Sequence, residues 1–391
     1  MKFDISIFEN MSDDDFFSNK FTHLYFNEDV EHKYVTKLIN EITLANKVTV
    51  LDTGAILNPK PILIHISSHG GSVTAGMRLL SIFALSNVPI LTIIDNYAAS
   101  AATFLSINSH YRLINNYGYC LLHDYSAVIS GKKEKIIQRI KLYEKYFSKI
   151  IEMYKNKTKF ENDELIELLQ HDLILDSNYC LEKGIVDRII KIEKKIKKIK
   201  KNININKLLE NNNNIISFTC DKSLEKFDKI LFQENLAPII IYPRRNNCDD
   251  TKKYFIFSKD EEDIEPDKEK PSIFRTLNII PRILSISSPI YAIIDGPISI
   301  DDLLPMLFCD HIFMFDYAYI VNNILNYYNK SSLLLSDNIK NTNTIFNIIK
   351  DILKEKTNMT NEMIDDINNK FSIIDVKEAK ELGMCHSIIN L

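Results

Sequence analysis

Glycine is scarce, 9 residues in 391, while Asn, Ile and Lys are abundant. That is the bias of an AT-rich genome, and it removes asparagine tracts as signals of structure or function. Paired cysteine motifs are missing. The six cysteines stand at 120, 180, 220, 248, 309 and 385, with no CxxC and no His/Cys cluster, which excludes a zinc module and a disulfide framework. No metal and no cofactor is therefore expected. A basic surplus is missing too: 48 Lys and Arg against 52 Asp and Glu leave a formal charge of −4, so nothing global points to nucleic acid or a membrane surface. No apolar run reaches the ~20 residues of a transmembrane helix. The first residues, MKFDISIFENMSDDD, hold acids where a signal peptide has a basic region and a long apolar stretch. A soluble, cytoplasmic protein is expected. What is present is globular: 45% hydrophobic and 26% charged residues, on a chain long enough for two domains.

The chain repeats itself. Val88-Pro-Ile-Leu-Thr-Ile-Ile-Asp95 reads against Ser288-Pro-Ile-Tyr-Ala-Ile-Ile-Asp295, and the same register aligns Ser72 with Ser272, Tyr117 with Tyr317 and Tyr119 with Tyr319. After a one-residue slip, Glu182-Lys-Gly-Ile-Val-Asp aligns with Glu381-Leu-Gly-Met-Cys-His. The reading gives one unit over 1–196, a basic and Asn-rich linker over 197–214, and a second unit over 215–391. An acidic insertion at about 246–270 belongs to the second unit alone and reads as an exposed loop.

Within the first unit, elements alternate as in an α/β fold. Pro61–Ser67 is an aliphatic, β-branched run, hence a buried strand. Gly70-Gly71-Ser72 opens a helix with Ser72 as N-cap and an apolar face of Val73, Met77, Leu80 and Phe83. Pro89–Ile94 is the next strand, and Asn96–Ala99 is read as a turn into a helix near Ser100. Tyr111–Ile114 and Tyr119–Leu122 are strands. Helices follow over 132–155 and 161–170, and a last one runs from Asp176 to the stop at Gly184.

Three polar residues invite a chemical reading. Ser100 lies among Ala98, Ala99, Ala101 and Ala102 where a strand gives way to a helix, whose free N–H groups suit an oxyanion. The N–H of Ala101 is one candidate donor and that of Gly71, where the backbone approaches a ligand unhindered, is another. His123 ends an apolar strand, and Asp172 precedes Leu173-Ile174-Leu175. Taken singly, Ser100 reads as a cap, His123 as a structural ring and Asp172 as a solvated acid.

Taken together they follow a pattern. His65-Ile-Ser-Ser-His-Gly-Gly-Ser-Val-Thr-Ala-Gly76, Tyr97-Ala-Ala-Ser100, Leu121-Leu-His123 and the gap-free stretch Asp172 to Asp187 resemble, in order and spacing, the blocks of the Clp protease proteolytic subunit family. The resemblance implies a crotonase-type α/β fold of ββα repeats, present twice. It also implies a serine endopeptidase with Ser100 as nucleophile, His123 as base then acid, Asp172 as orienting carboxylate, and an oxyanion hole from the backbone of Gly71 and Ala101. Polypeptide substrates, a homo-oligomer and an AAA+ unfoldase partner follow from the same likeness. The chain departs from the family pattern at His69, in place of a proline, and at Ala101-Ala102, in place of Met-Gly. It also has Ser130-Gly131-Lys132-Lys133 where the family has a Gly-rich contact strand.

The second unit serves as an internal control. At the matching positions Ser100 becomes Ile300, His123 Asn323, Asp172 Phe371 and Gly71 Pro271, which has no N–H. Asp176 and Gly184 keep their counterparts, Asp375 and Gly383. This is a degenerate copy with the scaffold retained. Three other readings remain open: a catalytically silent Clp-like scaffold or adaptor, a tandem signal-peptide-peptidase-like enzyme with a Ser/Lys dyad, and an acyl-CoA enzyme of the crotonase group. No carboxylate stands beside the Gly-Gly turn to serve the last.

Overall fold

The structure is a computed structural model that describes residues 3–50, 56–124, 130–191, 215–218, 239–243, 277, 280, 283–284, 289–294, 296–322, 335–369 and 372–390. The linker and the acidic insertion expected from the sequence lie outside these residues. The chain divides into two compact units, one of residues 1–192 with 330–348, the other of 193–329 with 349–391.

In the first unit the elements are α1 (Ser6–Glu9), α2 (Asp13–Phe16), β1 (Thr22–Phe26), α3 (His32–Ala45), β2 (Thr49–Val50), β3 (Ile56–Leu57), β4 (Ile62–Ser68), α4 (Val73–Ala84), β5 (Ile90–Ala99), α5 (Thr103–Ile107), β6 (Tyr111–Asn115), β7 (Tyr119–Leu122), α6 (Lys133–Lys157), α7 (Asn162–Leu169), β8 (Leu173–Asp176), α8 (Ser177–Glu182) and β9 (Arg188–Ile190). A parallel sheet runs in the order β1-β4-β5-β6-β9, and β7 pairs with the far half of β5 and, antiparallel, with β8. The aliphatic runs of β4 and β5 are explained by burial on both faces. Ile62, Ile64, Ile66, Ile90 and Ile94 point into a core with α3, α4 and α5. Leu63, Leu91 and Ile93 point to the other face, closed by Phe8, Phe16 and Phe21 of the N-terminal segment. His65 lies on that second face. Its Nδ1 is 3.0 Å from the Asp95 carboxylate and its Nε2 3.1 Å from Nδ1 of His23, which tethers the Ser18 carbonyl at 3.0 Å. Burial holds His23 below its ordinary pKa.

Two local expectations need correcting. Asn96–Ala99 is strand, because β5 pairs first with β6 and then, past Ile94, with β7, so a single long strand serves two partners. The buried face of α4 is Ala75, Gly76, Leu79 and Phe83, with Val73 and Met77 only partly covered. Gly76 fits close against Phe104 and the Ala101 carbonyl, and that packing turns the helix. The Ser72 cap is as read, its side chain accepting from the Ala75 N–H.

The second unit holds β10 (Ile215–Phe218), β11 (Ile239–Pro243), β12 (Ile290–Ile294), β13 (Ile298–Ser299), α9 (Ile300–Leu303), β14 (His311–Phe315) and β15 (Tyr319–Asn322). Next come α10 (Leu335–Lys356), which begins within the first unit, then α11 (Asn361–Asn369), β16 (Ser372–Asp375), α12 (Val376–Glu381) and β17 (Ser387–Ile389). Its sheets run β10-β11-β12-β14-β17 and β13-β15-β16. Leu91 faces Tyr111 in the first unit, and Tyr291 faces His311 in the second. Tyr119 faces Asp176, and Tyr319 faces Asp375. The first N–H of the strand is taken by His110 Nδ1 at Ile90, and by the Asp310 carboxylate at Ile290.

At the position aligned with Ala101 stands Asp301, in the first turn of α9 and buried at 8% exposure. Its Oδ1 has no hydrogen-bond partner among the described residues. Burial raises this carboxyl from 3.8 to about 7. A raised folded-state pKa stabilises fully below about 3.8 and loses that contribution as pH rises to about 7. Asp301→Asn mimics the protonated form. It should raise the melting temperature above pH 7, with the gap to the wild-type chain closing towards pH 4. His311, lowered to about 4 by burial, opposes this trend in both proteins, so the difference between them isolates Asp301. Scanning calorimetry across pH 4–8 checks it, and a constant gap would refute it.

Candidate active site

Three adjacent strands bring Ser100, His123 and Asp172 to one end of the sheet. Ala99 of β5 lies beside Leu121 of β7, and Leu122 of β7 beside Leu173 of β8. Ser100, His123 and Asp172 each come one residue beyond those strand ends. The His123 Nδ1 is 3.2 Å from Asp172 Oδ1, which leaves Nε2 as the nitrogen free for a substrate-side proton. The two side chains are 27% and 43% exposed, so the pair is open to a ligand from solvent. The Asp124 N–H donates to the Leu169 carbonyl at 2.7 Å, which ties the end of β7 to the segment that delivers Asp172. No hydrogen bond joins Ser100 and His123 among the described residues; resting sites of this kind are often loose until substrate binds.

Ser100 has φ of 51°, the sole positive value outside glycine among the described residues. Such a conformation costs about 1–2 kcal/mol for an L residue and persists only when its surroundings impose it. Here the surroundings are identifiable. A short 3₁₀ turn, Ser100–Ala102, leads into α5. Thr103 Oγ1 donates to the Ser100 carbonyl at 2.6 Å and accepts from the Tyr154 hydroxyl of α6 at 2.5 Å. Tyr154 is fully buried, and burial pushes its phenol well above the ordinary value, so it remains a donor. Neither Thr103 nor Tyr154 was singled out by the sequence; a long-range hydroxyl pair leaves no local pattern.

The Gly-Gly turn faces this elbow. A Cβ on Gly70, at φ +92°, would sit 2.4 Å from the Ala99 carbonyl oxygen and 2.8 Å from Ser100 Cβ. Gly71 bridges Val30, whose N–H donates to the Gly70 carbonyl and whose carbonyl accepts from Ser72. The Gly71 N–H therefore points away from Val30. The Ala101 N–H belongs to the unpaired first turn after the elbow. His69 lies against the Tyr97 ring at 4.4 Å between centroids. Gly70→Ala should displace the elbow: a lower melting temperature and a loss of reactivity at Ser100 of about a hundredfold, as a misplacement of ~1 Å produces. Melting and covalent labelling rates measured together check this, and unchanged labelling would contradict it.

Asp176 has a different task. It is the N-cap of α8, accepting from the Tyr179 N–H at 2.8 Å. Its counterpart Asp375 caps α12 through the Lys377 and Glu378 N–H groups, and those bonds lower its pKa. In the second unit Ile300 is buried where the first has Ser100. The other counterparts, Pro271, Asn323 and Phe371, lie outside the described residues.

A parallel α/β sheet with a Gly-Gly turn, a strained serine elbow and a His–Asp pair at its strand ends defines a unit of the Clp-protease-like class. The comparisons agree. Residues 25–193 match the family model described as Clp protease. Over 172 residues it is 24% identical to ATP-dependent Clp protease proteolytic subunit 1 of Chlamydia trachomatis, covering 43% of this chain and 85% of that protein. Over 199 residues it is 24% identical to proteolytic subunit 2 of Treponema denticola, covering 47% of this chain and 91% of the relative. Among solved structures, a mutant of ClpP1 from Listeria monocytogenes is similar at 16% identity with a TM-score of 0.38, over 43% of this chain and 91% of that one. Among the described residues no helix is long and apolar enough to cross a membrane.

Proposed function

We propose that the first unit is a Clp-type serine endopeptidase and the second a degenerate duplicate of it, kept as scaffold. The observation that carries the reading is the strained Ser100, one residue past the strand that pairs with the strand leading to the His123–Asp172 pair. In the proposed cycle the Ser100 hydroxyl oxygen attacks the scissile carbonyl carbon while His123 Nε2 takes its proton. The oxyanion is held by the Gly71 and Ala101 N–H groups. His123 then protonates the leaving amine, the C–N bond breaks, and an acyl ester remains on Ser100. Water, activated by the same imidazole, releases the acid. Asp172 holds the ring and its charged form.

The second unit is unsuited to this chemistry at a described position: Ile300 is buried and offers no nucleophile. The relatives are ATP-dependent Clp protease proteolytic subunits, and we extend the proposal to ATP dependence and polypeptide substrates; a separate AAA+ unfoldase, a homo-oligomer and a cytoplasmic location are what the family resemblance implies. One observation favours the alternative of a silent scaffold or adaptor: among the described residues no hydrogen bond joins Ser100 and His123. Labelling of the full chain with a fluorophosphonate, with the adduct mapped by mass spectrometry, tests the two. A single adduct on Ser100 is expected. An adduct on a serine of the second unit, or none at all, would overturn the proposal.

A further inference from the structure

The carboxylate of the proposed triad sits just outside the sheet. Asp172 precedes β8, past the last ladder pair, Leu122 with Leu173. Among the described residues its side chain pairs with His123 alone, and it is 43% exposed. Burial therefore does not fix it. Beside an edge strand, the backbone groups of Asp172 and Ile174 face away from β7 and would ordinarily go to water.

They are instead taken by one side chain of the first unit. Asn341, in the part of α10 that belongs to this unit, accepts from the Ile174 N–H through Oδ1 at 2.7 Å. Through Nδ2 it donates to the Asp172 carbonyl at 2.7 Å. The amide thus replaces the C=O and N–H that a neighbouring strand would offer. Asn341 is 5% exposed, and so is fixed by its own packing. Four residues earlier, on the same helical face, Asp337 pairs with His171 at 3.1 Å and is 2% exposed. Residues 171–174 are thereby held from one helix: the amide fixes the carbonyl of Asp172 itself, and the His171 ring is held on the other side of it.

We infer that Asn341 is a positioning residue for Asp172: it fixes the backbone from which the carboxylate reaches the His123 ring. The inference rests on the proposed function and adds to it a residue 169 positions away in sequence. A carboxylate held against the imidazole stabilises the ring as it becomes charged in the transition state, so loosening the carboxylate slows the chemical step and leaves substrate binding alone.

The test uses the full chain with a short fluorogenic peptide and a fluorophosphonate. Asn341→Ala should lower kcat and the labelling rate by about ten- to a hundredfold with KM little changed. Asn341→Asp, of the same size, keeps the acceptor for Ile174 but loses the donor to Asp172, and should show the same signature with the fold retained. Asp337→Ala should cost far less. Backbone amide exchange supplies a readout independent of turnover: the Ile174 N–H should exchange faster in Asn341→Ala. Wild-type kcat in both Asn341 variants would overturn the inference, as would unchanged Ile174 exchange. Absence of labelling in the wild-type chain itself would instead overturn the proposed function.

Discussion

Ser100→Ala is expected to abolish peptidase activity and fluorophosphonate labelling, a loss on the order of 10⁵-fold or more, while the fold survives. The size follows from the nucleophile's role: triad members act as a unit, and removing the serine alone costs nearly as much as removing all three. Survival of the fold follows from the elbow. The Ser100 side chain makes no hydrogen bond among the described residues; it is the backbone carbonyl that accepts from Thr103. Removing Oγ therefore strands no buried partner. The φ of 51° supplies a second, opposite check. Glycine adopts that conformation freely, at a backbone-entropy cost of about 0.5–1 kcal/mol against the ~1–2 kcal/mol of strain it relieves. Ser100→Gly should accordingly match or exceed the wild-type chain in melting temperature and be equally inactive. That stability is given up at the one residue proposed to react is the behaviour of an active-site strain, and a purely structural serine would not repay its removal. Substantial activity in Ser100→Ala, or labelling transferred to another serine, would defeat the assignment.

The elements that place these groups were legible because each has a local cause. Aliphatic runs buried on both faces marked β4 and β5, a serine marked the start of α4, and a glycine after Glu182 marked the end of α8, where Gly184 has φ +65°. The site blocks were legible through their resemblance and spacing, and the strand ends then bring them together. What was hidden depends on partners distant in sequence. The extension of β5 to Ala99 needs β7 as a second neighbour. The rotation of α4 is set by Phe104 meeting Gly76. The two glycines of the turn also divide their work in a way that spacing does not reveal. Gly70 makes room for the Ala99 carbonyl and Ser100, and Gly71 lies against Val30 with its N–H turned the other way. The hydroxyl chain from Tyr154 to the elbow and the Asn341 clamp on the Asp172 carbonyl and Ile174 N–H join residues distant in sequence, so no window of sequence contains them.

Asp172→Asn and Asp176→Ala, four residues apart, should give opposite phenotypes. Asp172 touches the His123 ring at 3.2 Å and is 43% exposed, and among the described residues its carboxylate has no other partner. Amidation keeps its size and disturbs nothing buried, so the melting temperature should hardly move. It removes the charge that orients the imidazole and stabilises its protonated form, and in a serine protease with the same triad logic that change costs about 10⁴ in turnover with geometry intact. Asp176 instead accepts the Tyr179 N–H at 2.8 Å as the cap of α8. Losing a cap costs about 0.5–2 kcal/mol, which for a unit of this size lowers the melting temperature by about 2–4 °C per kcal/mol. Its carboxylate is committed to that helix, and Asp375, which the internal sequence repeat aligns with it, caps α12 in the same way. Asp176→Ala should therefore melt earlier and retain most of its turnover at a temperature where it is folded. Steady-state rates and calorimetry on the two variants decide the matter. An active Asp172→Asn beside a dead but stable Asp176→Ala would move the triad carboxylate from Asp172 to Asp176.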